Sequence, residues 1–249
     1  MIHSFLLIGQ SNMAGRGFVE EAIPVDNTHI RILRNGRWQK MFRPVNPDRR
    51  TSGVNLAESF AEAYANAHGV EVGLIPCADG GTRMDQWVPG SLLYDNAVYQ
   101  ARLAMRTSTI AGILWHQGES DSYDDRYLTY EHKLEQMLLS LRRELGIEDV
   151  PVLLGGLGDY LVNYTKSGHD QWPEINRCLK QLADREPRYG YVSAEGLLPN
   201  PDNLHFSAQA LHAFGLRYYE QFTQLEDPNK IFLEKPNPDD ALRTELDAL

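Results

Sequence analysis

Short apolar runs at 2–8, 70–76, 110–115, 150–154 and 189–193 alternate along the chain with segments of helical character. Runs this short and this largely apolar suit strands that are buried on both faces. Strands that alternate with helices pair in parallel, and right-handed crossovers place the helices on both sides of one sheet. The expected architecture is a three-layer α/β/α sandwich around a mostly parallel, about five-stranded sheet. Its helices are read at 56–67, which is alanine-rich and stopped by Gly69, and at 92–107, 127–145, 172–183 and 207 to about 225. The 127–145 segment carries Leu134, Met137, Leu138, Leu141 and Leu145 on one face.

One region departs from this alternation. Residues 16–52 are polar and contain Pro24, Pro44 and Pro47. Within them, short β-like runs at 30–33 and 38–42 flank Asn35-Gly36, the signature of a tight hairpin turn. The region reads as an excursion from the main sheet that helps to wall a site. Residues 1–225 are expected to form one domain and 226–249 a tail. In that tail Leu242, Leu246 and Leu249 share a helical face, which would dock on its own domain or on a second subunit of a homo-oligomer.

Charge narrows the partners. Thirty-four acidic residues against 24 basic give a net charge of −10, with no basic cluster, so a nucleic-acid partner is not expected. No apolar run reaches membrane-spanning length, and no membrane partner is expected. The N-terminus shows no basic segment followed by an apolar stretch and a cleavage site, which suggests a cytoplasmic location. Cys77 and Cys178 lie far apart without metal-type spacing and read as free buried thiols.

Open α/β sheets collect their chemistry in the crevice at the carboxyl ends of the strands. The loops after the first, second, third and fifth runs bring Ser11, Gly80-Gly81, Gln117 and Asp202–His205 to that edge. These are the residue types that acyl transfer needs. A serine hydroxyl requires a base to take its proton, and a histidine requires an acceptor on its other nitrogen. Backbone N–H groups at Ser11, Gly80 and Gly81, with the Gln117 amide, could receive the developing oxyanion. Gln10, Arg83, Trp87 and Glu119 stand in the same loops as candidate substrate contacts, with Trp87 the aromatic best placed to wall a ligand.

Blander readings exist for each residue taken alone. Ser11 could merely cap the next segment, and Asp202 and His205 could be turn residues before a helix. His116, Glu119 and Asp121 could ligate a metal, although they lack the two-histidine helical spacing of a zinc site. Gly155-Gly156-Leu157-Gly158 resembles part of a phosphate loop but lacks the lysine that would follow.

Taken together, four blocks are similar to an SGNH-type hydrolase, in the branch that holds acetylxylan esterases and sialate O-acetylesterases. They are Gly9-Gln10-Ser11-Asn12-Met13, Gly80-Gly81-Thr82, Trp115-His116-Gln117-Gly118-Glu119 and Asp202-x-x-His205-Phe206. The resemblance implies a flavodoxin-like fold, Ser11 as nucleophile, His205 as base and Asp202 as its orienter, and no metal or organic cofactor. Gln117 stands where the wider superfamily keeps an asparagine, and Arg83 where this branch often has a smaller residue. The implied activity is removal of O-acetyl groups from a small acetylated carbohydrate. A broad short-chain esterase without sugar preference and a non-catalytic sugar-binding protein on a hydrolase scaffold are the alternatives.

Overall fold

The computed structural model of the chain describes residues 1–164, 170–227, 229–230, 232 and 235. Its organising element is β1 (Ile2–Gly9), in which Phe5, Leu6, Leu7 and Ile8 are fully buried. A strand this apolar has to lie inside a sheet, and β1 is flanked in parallel by β4 (Glu71–Pro76) and β5 (Thr109–His116). β6 (Val152–Gly155) and β7 (Tyr189–Val192) continue the parallel sheet beyond β5.

The polar excursion is a hairpin, as its turn residues suggest, but it does not leave the sheet. β2 (Ile30–Arg34) pairs in parallel with β4, and β3 (Arg37–Lys40) pairs antiparallel with β2 across Asn35-Gly36. The sheet therefore has seven strands in the order β3-β2-β4-β1-β5-β6-β7, where five were expected. Ile30, Ile32 and Leu33 of β2 are buried, and a strand so apolar is stabilised between β3 and β4 rather than by standing apart.

Helices cover both faces. α2 (Ala57–His68) and α6 (Ala208–Thr223) pack together on one side. There Phe60, Tyr64 and Phe222 surround Phe5 edge-on, with ring centroids 4.8–5.6 Å apart. On the other side lie α3 (Leu92–Ala104), α4 (Tyr127–Leu145) and α5 (Trp172–Arg185). The expected apolar face of α4 is the one buried, with Leu134, Met137, Leu138 and Leu141 at no more than 1% exposure. Among the described residues no helix is long and apolar enough to cross a membrane. Leu242, Leu246 and Leu249 lie outside the described residues.

What positions the site is the order of connections. From β1 in the middle of the sheet the chain goes out to β2 and the edge strand β3, returns to β4 beside β1, then crosses to β5, β6 and β7 on the other side. β1 is where the two directions part, and in parallel register Gly9 stands beside His116. The loops after β1, β4 and β5 thus leave the same edge side by side.

Candidate active site

Ser11 opens the one-turn helix α1 (Ser11–Ala14), immediately after β1. His205 Nε2 lies 3.0 Å from Ser11 Oγ, and His205 Nδ1 lies 2.6 Å from Asp202 Oδ2. An ionised carboxylate can only accept, so Nδ1 carries the imidazole proton and Nε2 is left to take the serine proton. Asp202 is pinned through its other oxygen, which accepts from the Leu204 and His205 backbone N–H groups at 2.9 and 3.0 Å. Burial alone would raise the Asp202 carboxyl, but these hydrogen bonds and the His205 ring hold it below the usual carboxylate range. Acceptor, base and nucleophile form one hydrogen-bonded chain.

The loop carrying Asp202 and His205 is held from both sides. Pro199 and Phe206 bridge across its base. Asn200 donates to the Arg16 carbonyl at 2.9 Å. The most specific tie is Asn12, next to the nucleophile. Its Nδ2 donates to Glu119 Oε1 and to the Leu204 carbonyl, and its Oδ1 accepts from the Phe206 N–H. Leu204 and Phe206 are the two neighbours of His205, so one buried amide fixes the base relative to Ser11. The sequence reading overlooked Asn12; its place beside the serine in the first block was the available signal. Asn12→Ala leaves the Phe206 N–H and a Glu119 oxygen without their partner, and each lost partner of this kind costs about 1–3 kcal/mol. The variant is expected to lose about 3 kcal/mol of stability in urea unfolding, together with activity per folded molecule. A stability equal to that of the parent protein would show that the latch carries no weight.

Behind Glu119 sits His116, fully buried, with Nε2 3.1 Å from the Gly156 carbonyl and Nδ1 3.8 Å from Glu119 Oε1. Burial pulls the His116 imidazole below its ordinary value, against the pull of the Glu119 carboxylate. Asp121 is turned away from both, with Oδ2 accepting from the Met84 N–H at 2.9 Å and from Gln117 at 2.6 Å. Each of the three side chains considered as metal ligands has a hydrogen-bond partner of its own: the Gly156 carbonyl for His116, the Asn12 amide for Glu119, and Gln117 with the Met84 N–H for Asp121. Among the described residues no group of three or more His, Cys, Asp or Glu side chains is arranged to hold a metal ion.

The glycine pair after β4 divides its roles. The Gly80 N–H donates to Asp48 Oδ2 at 2.8 Å, which removes it from the oxyanion donors expected from sequence. The Gly81 and Ser11 N–H groups donate to no other group among the described residues, and both residues line the cavity. Asp48 is gripped by Arg16 through two hydrogen bonds of 3.0 and 2.7 Å, with both side chains buried. Burial would raise the Asp48 carboxyl, but Arg16, Ser52 and the Gly80 N–H outweigh it and hold it low. A Cβ on residue 80 would stand 2.5 Å from Arg16 Nη2 and 2.9 Å from Asp48 Oδ2, so a side chain there would have to displace part of this pair. Arg16 and Asp48 both come from the polar excursion, which therefore walls the site even though its hairpin belongs to the sheet.

Three further sequence expectations need correction. Gln117 is fully buried and does not reach the cavity. Its Nε2 donates to Asp121, to the Thr82 carbonyl at 3.0 Å and to Gln10 Oε1 at 3.2 Å, so it braces the loops instead of facing an oxyanion. Trp87 is also fully buried, edge-on to Trp115 at 5.5 Å, with its indole N–H on Thr82 Oγ1. It is core, not ligand wall. Arg83 is exposed and lies outside the cavity lining, whereas Gln10 and Glu119 are part of it.

The cavity measures about 420 Å³, and Ser11 and His205 open into it. Arg49 and Tyr164 contribute to its far wall, and neither was singled out from sequence. Arg49 is held there by an ion pair of 2.7 Å with Asp79 and by a hydrogen bond to the Gly80 carbonyl. The volume suits a ligand of the size of one substituted sugar.

Comparison with known proteins agrees with this geometry. Over 235 residues the chain is 29% identical to the probable carbohydrate esterase At4g34215 of Arabidopsis thaliana, covering 85% of this chain and 86% of that protein. The crystal structure of the Arabidopsis protein superposes with a TM-score of 0.80 at 26% identity, covering 89% of this chain and 98% of that one. The fold is shared more distantly with a carbohydrate acetylesterase of Xanthomonas citri, at a TM-score of 0.67 and 18% identity over 89% of this chain and 56% of that one. A profile of the family described as "carbohydrate esterase, sialic acid-specific acetylesterase" matches residues 1–224. The chain belongs to that family of carbohydrate esterases.

Proposed function

We propose that this carbohydrate esterase works by a serine mechanism and removes O-acetyl groups from a small acetylated sugar. The observation that carries the reading is the Asp202–His205–Ser11 hydrogen-bonded chain, which ends at the cavity. Ser11 Oγ attacks the acetyl carbonyl carbon while its proton passes to His205 Nε2, and Asp202 stabilises the imidazolium that forms. The tetrahedral oxyanion accepts from the Ser11 and Gly81 N–H groups. On collapse the sugar oxygen leaves with the proton from Nε2, and the acetyl group stays on Ser11. Water then attacks the acetyl-serine with His205 again as base, and acetate departs as the serine hydroxyl is restored.

The test is release of acetate from a panel that includes O-acetylated sialic acid, acetylated xylose and matched butyrate esters. Each is run with and without a strong chelator. Acetate is expected from at least one acetylated sugar, in preference to butyrate, at a rate the chelator leaves unchanged. Equal turnover of the butyrate esters would favour a broad short-chain esterase. A loss in chelator that one divalent ion restores would replace the serine mechanism with a metal-dependent one.

A further inference from the structure

The loop after β4 is tied down group by group where it passes the nucleophile. The Asp79 N–H donates to the Gly9 carbonyl at 3.0 Å, and the Asp79 carbonyl accepts from Thr82 Oγ1 at 2.7 Å. The Gly80 N–H donates to Asp48 Oδ2 at 2.8 Å, and the Gly80 carbonyl accepts from Arg49 Nη2 at 3.1 Å. A Cβ on residue 80 would stand 3.5 Å from Ser11 Cβ, so this is the stretch of loop beside the serine. The next backbone donor, the Gly81 N–H, has no acceptor among the described residues.

The Gly80 carbonyl and the Gly81 N–H belong to one peptide group. It is not among the cis bonds of the chain, so its C=O and N–H point in opposite directions. Arg49 therefore decides where the Gly81 N–H aims: it draws the carbonyl to one side and turns the N–H to the other. Turning this peptide over changes only ψ of Gly80 and φ of Gly81, and glycine on both sides leaves either sense open. Gly81 stands at φ +77, and half a turn takes it to about −100°, which any residue adopts. Arg49 is itself fixed for the task. Its Nη1 pairs with Asp79 Oδ1 at 2.7 Å and donates to the Asp48 carbonyl at 2.9 Å, so the two ends of the planar fork are held at once.

We infer that Arg49 is a positioning residue of the oxyanion hole. By holding the Gly80 carbonyl it keeps the Gly81 N–H turned to the acyl oxygen of the ester. Without it the Gly80–Gly81 peptide turns over and presents a carbonyl oxygen where negative charge develops, which weakens transition-state binding and leaves substrate binding alone. The inference rests on the serine-esterase reading above. It differs from a role for Arg49 as a sugar contact in which kinetic constant moves and on which substrate.

The test uses the full chain with two esters, 4-nitrophenyl acetate, which carries no sugar, and the acetylated sugar that the wild-type protein turns over best. Arg49→Met keeps much of the side-chain stem and removes the donors, at a side chain that is half exposed. It is expected to lower kcat about 10–100-fold on both esters, the scale set by one hydrogen bond from a charged donor, with KM little changed. Gly81→Ala should give a similar loss. Its Cβ meets nothing within 4 Å, so the substitution acts only by disfavouring φ +77. Because both changes turn the same peptide, the double variant should be no slower than the slower single variant. Losses that multiply in the double variant would overturn the inference. So would an unchanged kcat in Arg49→Met, and a rise in KM confined to the sugar ester would make Arg49 a sugar contact instead. If the wild-type protein hydrolyses neither ester, the esterase reading itself fails and this inference falls with it. A spectroscopic measurement separates positioning from folding. When an alkyl phosphonate is attached to Ser11 of the wild-type protein, its oxygen occupies the oxyanion position, and the Gly81 amide proton resonance should move downfield. The same adduct of Arg49→Met should leave that resonance in place. No movement in the wild-type protein, or equal movement in both, would refute the assignment.

Discussion

Ser11→Ala is expected to lower kcat on any acetate ester by about 10⁵–10⁶-fold, the scale of loss when a serine nucleophile that acts as a unit with its base is removed. The hydroxyl that disappears is the group 3.0 Å from His205 Nε2, and among the described residues no second hydroxyl or thiol is hydrogen-bonded to that nitrogen. The fold should survive. Ser11 begins a one-turn helix, alanine is a good helix former, and the hydroxyl makes no other hydrogen bond among the described residues. An unfolding midpoint equal to that of the parent protein, beside activity near background, is the expected pair of results. A serine-directed organophosphorus reagent should label the parent protein at Ser11 and leave the variant unlabelled. Turnover within tenfold of the parent, or labelling of another serine, would dismiss Ser11 as nucleophile.

The second large effect falls on the fold itself. Gly9 has φ +134, a conformation that L side chains rarely adopt. A Cβ at this position would stand 2.0 Å from the His116 carbonyl oxygen and 2.7 Å from its carbon. Both are main-chain atoms of the neighbouring strand, so no side chain can swing aside to make room. The same contact supports a hydrogen bond of 2.9 Å from the Gln10 N–H to the His116 carbonyl, which sets where the chain leaves the sheet. Gly9→Ala must therefore push β1 and β5 apart at the end where Ser11 emerges. A loss of about 4 kcal/mol is expected, at the top of the range for single substitutions. Urea unfolding at neutral pH measures it, and activity per folded molecule should drop as well because Ser11 shifts from His205. A midpoint unchanged from that of the parent would mean that the strand ends can part freely.

The fold and the hydrogen-bonded chain at Ser11 were legible in sequence because each rests on a local pattern. Residues 5–8 form an unbroken apolar run that burial enforces, and Asp202 and His205 sit three residues apart on one short loop, where the Leu204 and His205 N–H groups on Asp202 hold the pair together. What the sequence hid depends on which way a side chain turns once the sheet is assembled. Gln117 stands in the right loop, but the Asp121 carboxylate four residues on captures its amide. Trp87 lies in a polar loop among glycines, yet the loop folds back and presses the indole onto Trp115. The Gly80 N–H is taken by Asp48, a residue 32 positions earlier whose proximity no local pattern could announce. The hairpin was legible from Asn35-Gly36, but its attachment to β4 was not. Parallel pairing between distant strands leaves no spacing to read, only the apolar side chains of Ile30 and Ile32.

The central place of β1 also sets a waiting time during synthesis. β1 emerges from the ribosome before its partner strands β4 and β5, which run to Pro76 and His116. At about 5–20 residues per second, β5 is complete some 5–20 s after β1. Until β4 is made, Phe5, Leu6, Leu7 and Ile8 have neither neighbour to cover their edges, and until β5 follows they have only one, although all four end fully buried. An apolar strand without partners is a template for pairing with other chains. The arrangement that places the nucleophile at the heart of the finished enzyme leaves its strand uncovered until both sides of the sheet have been made.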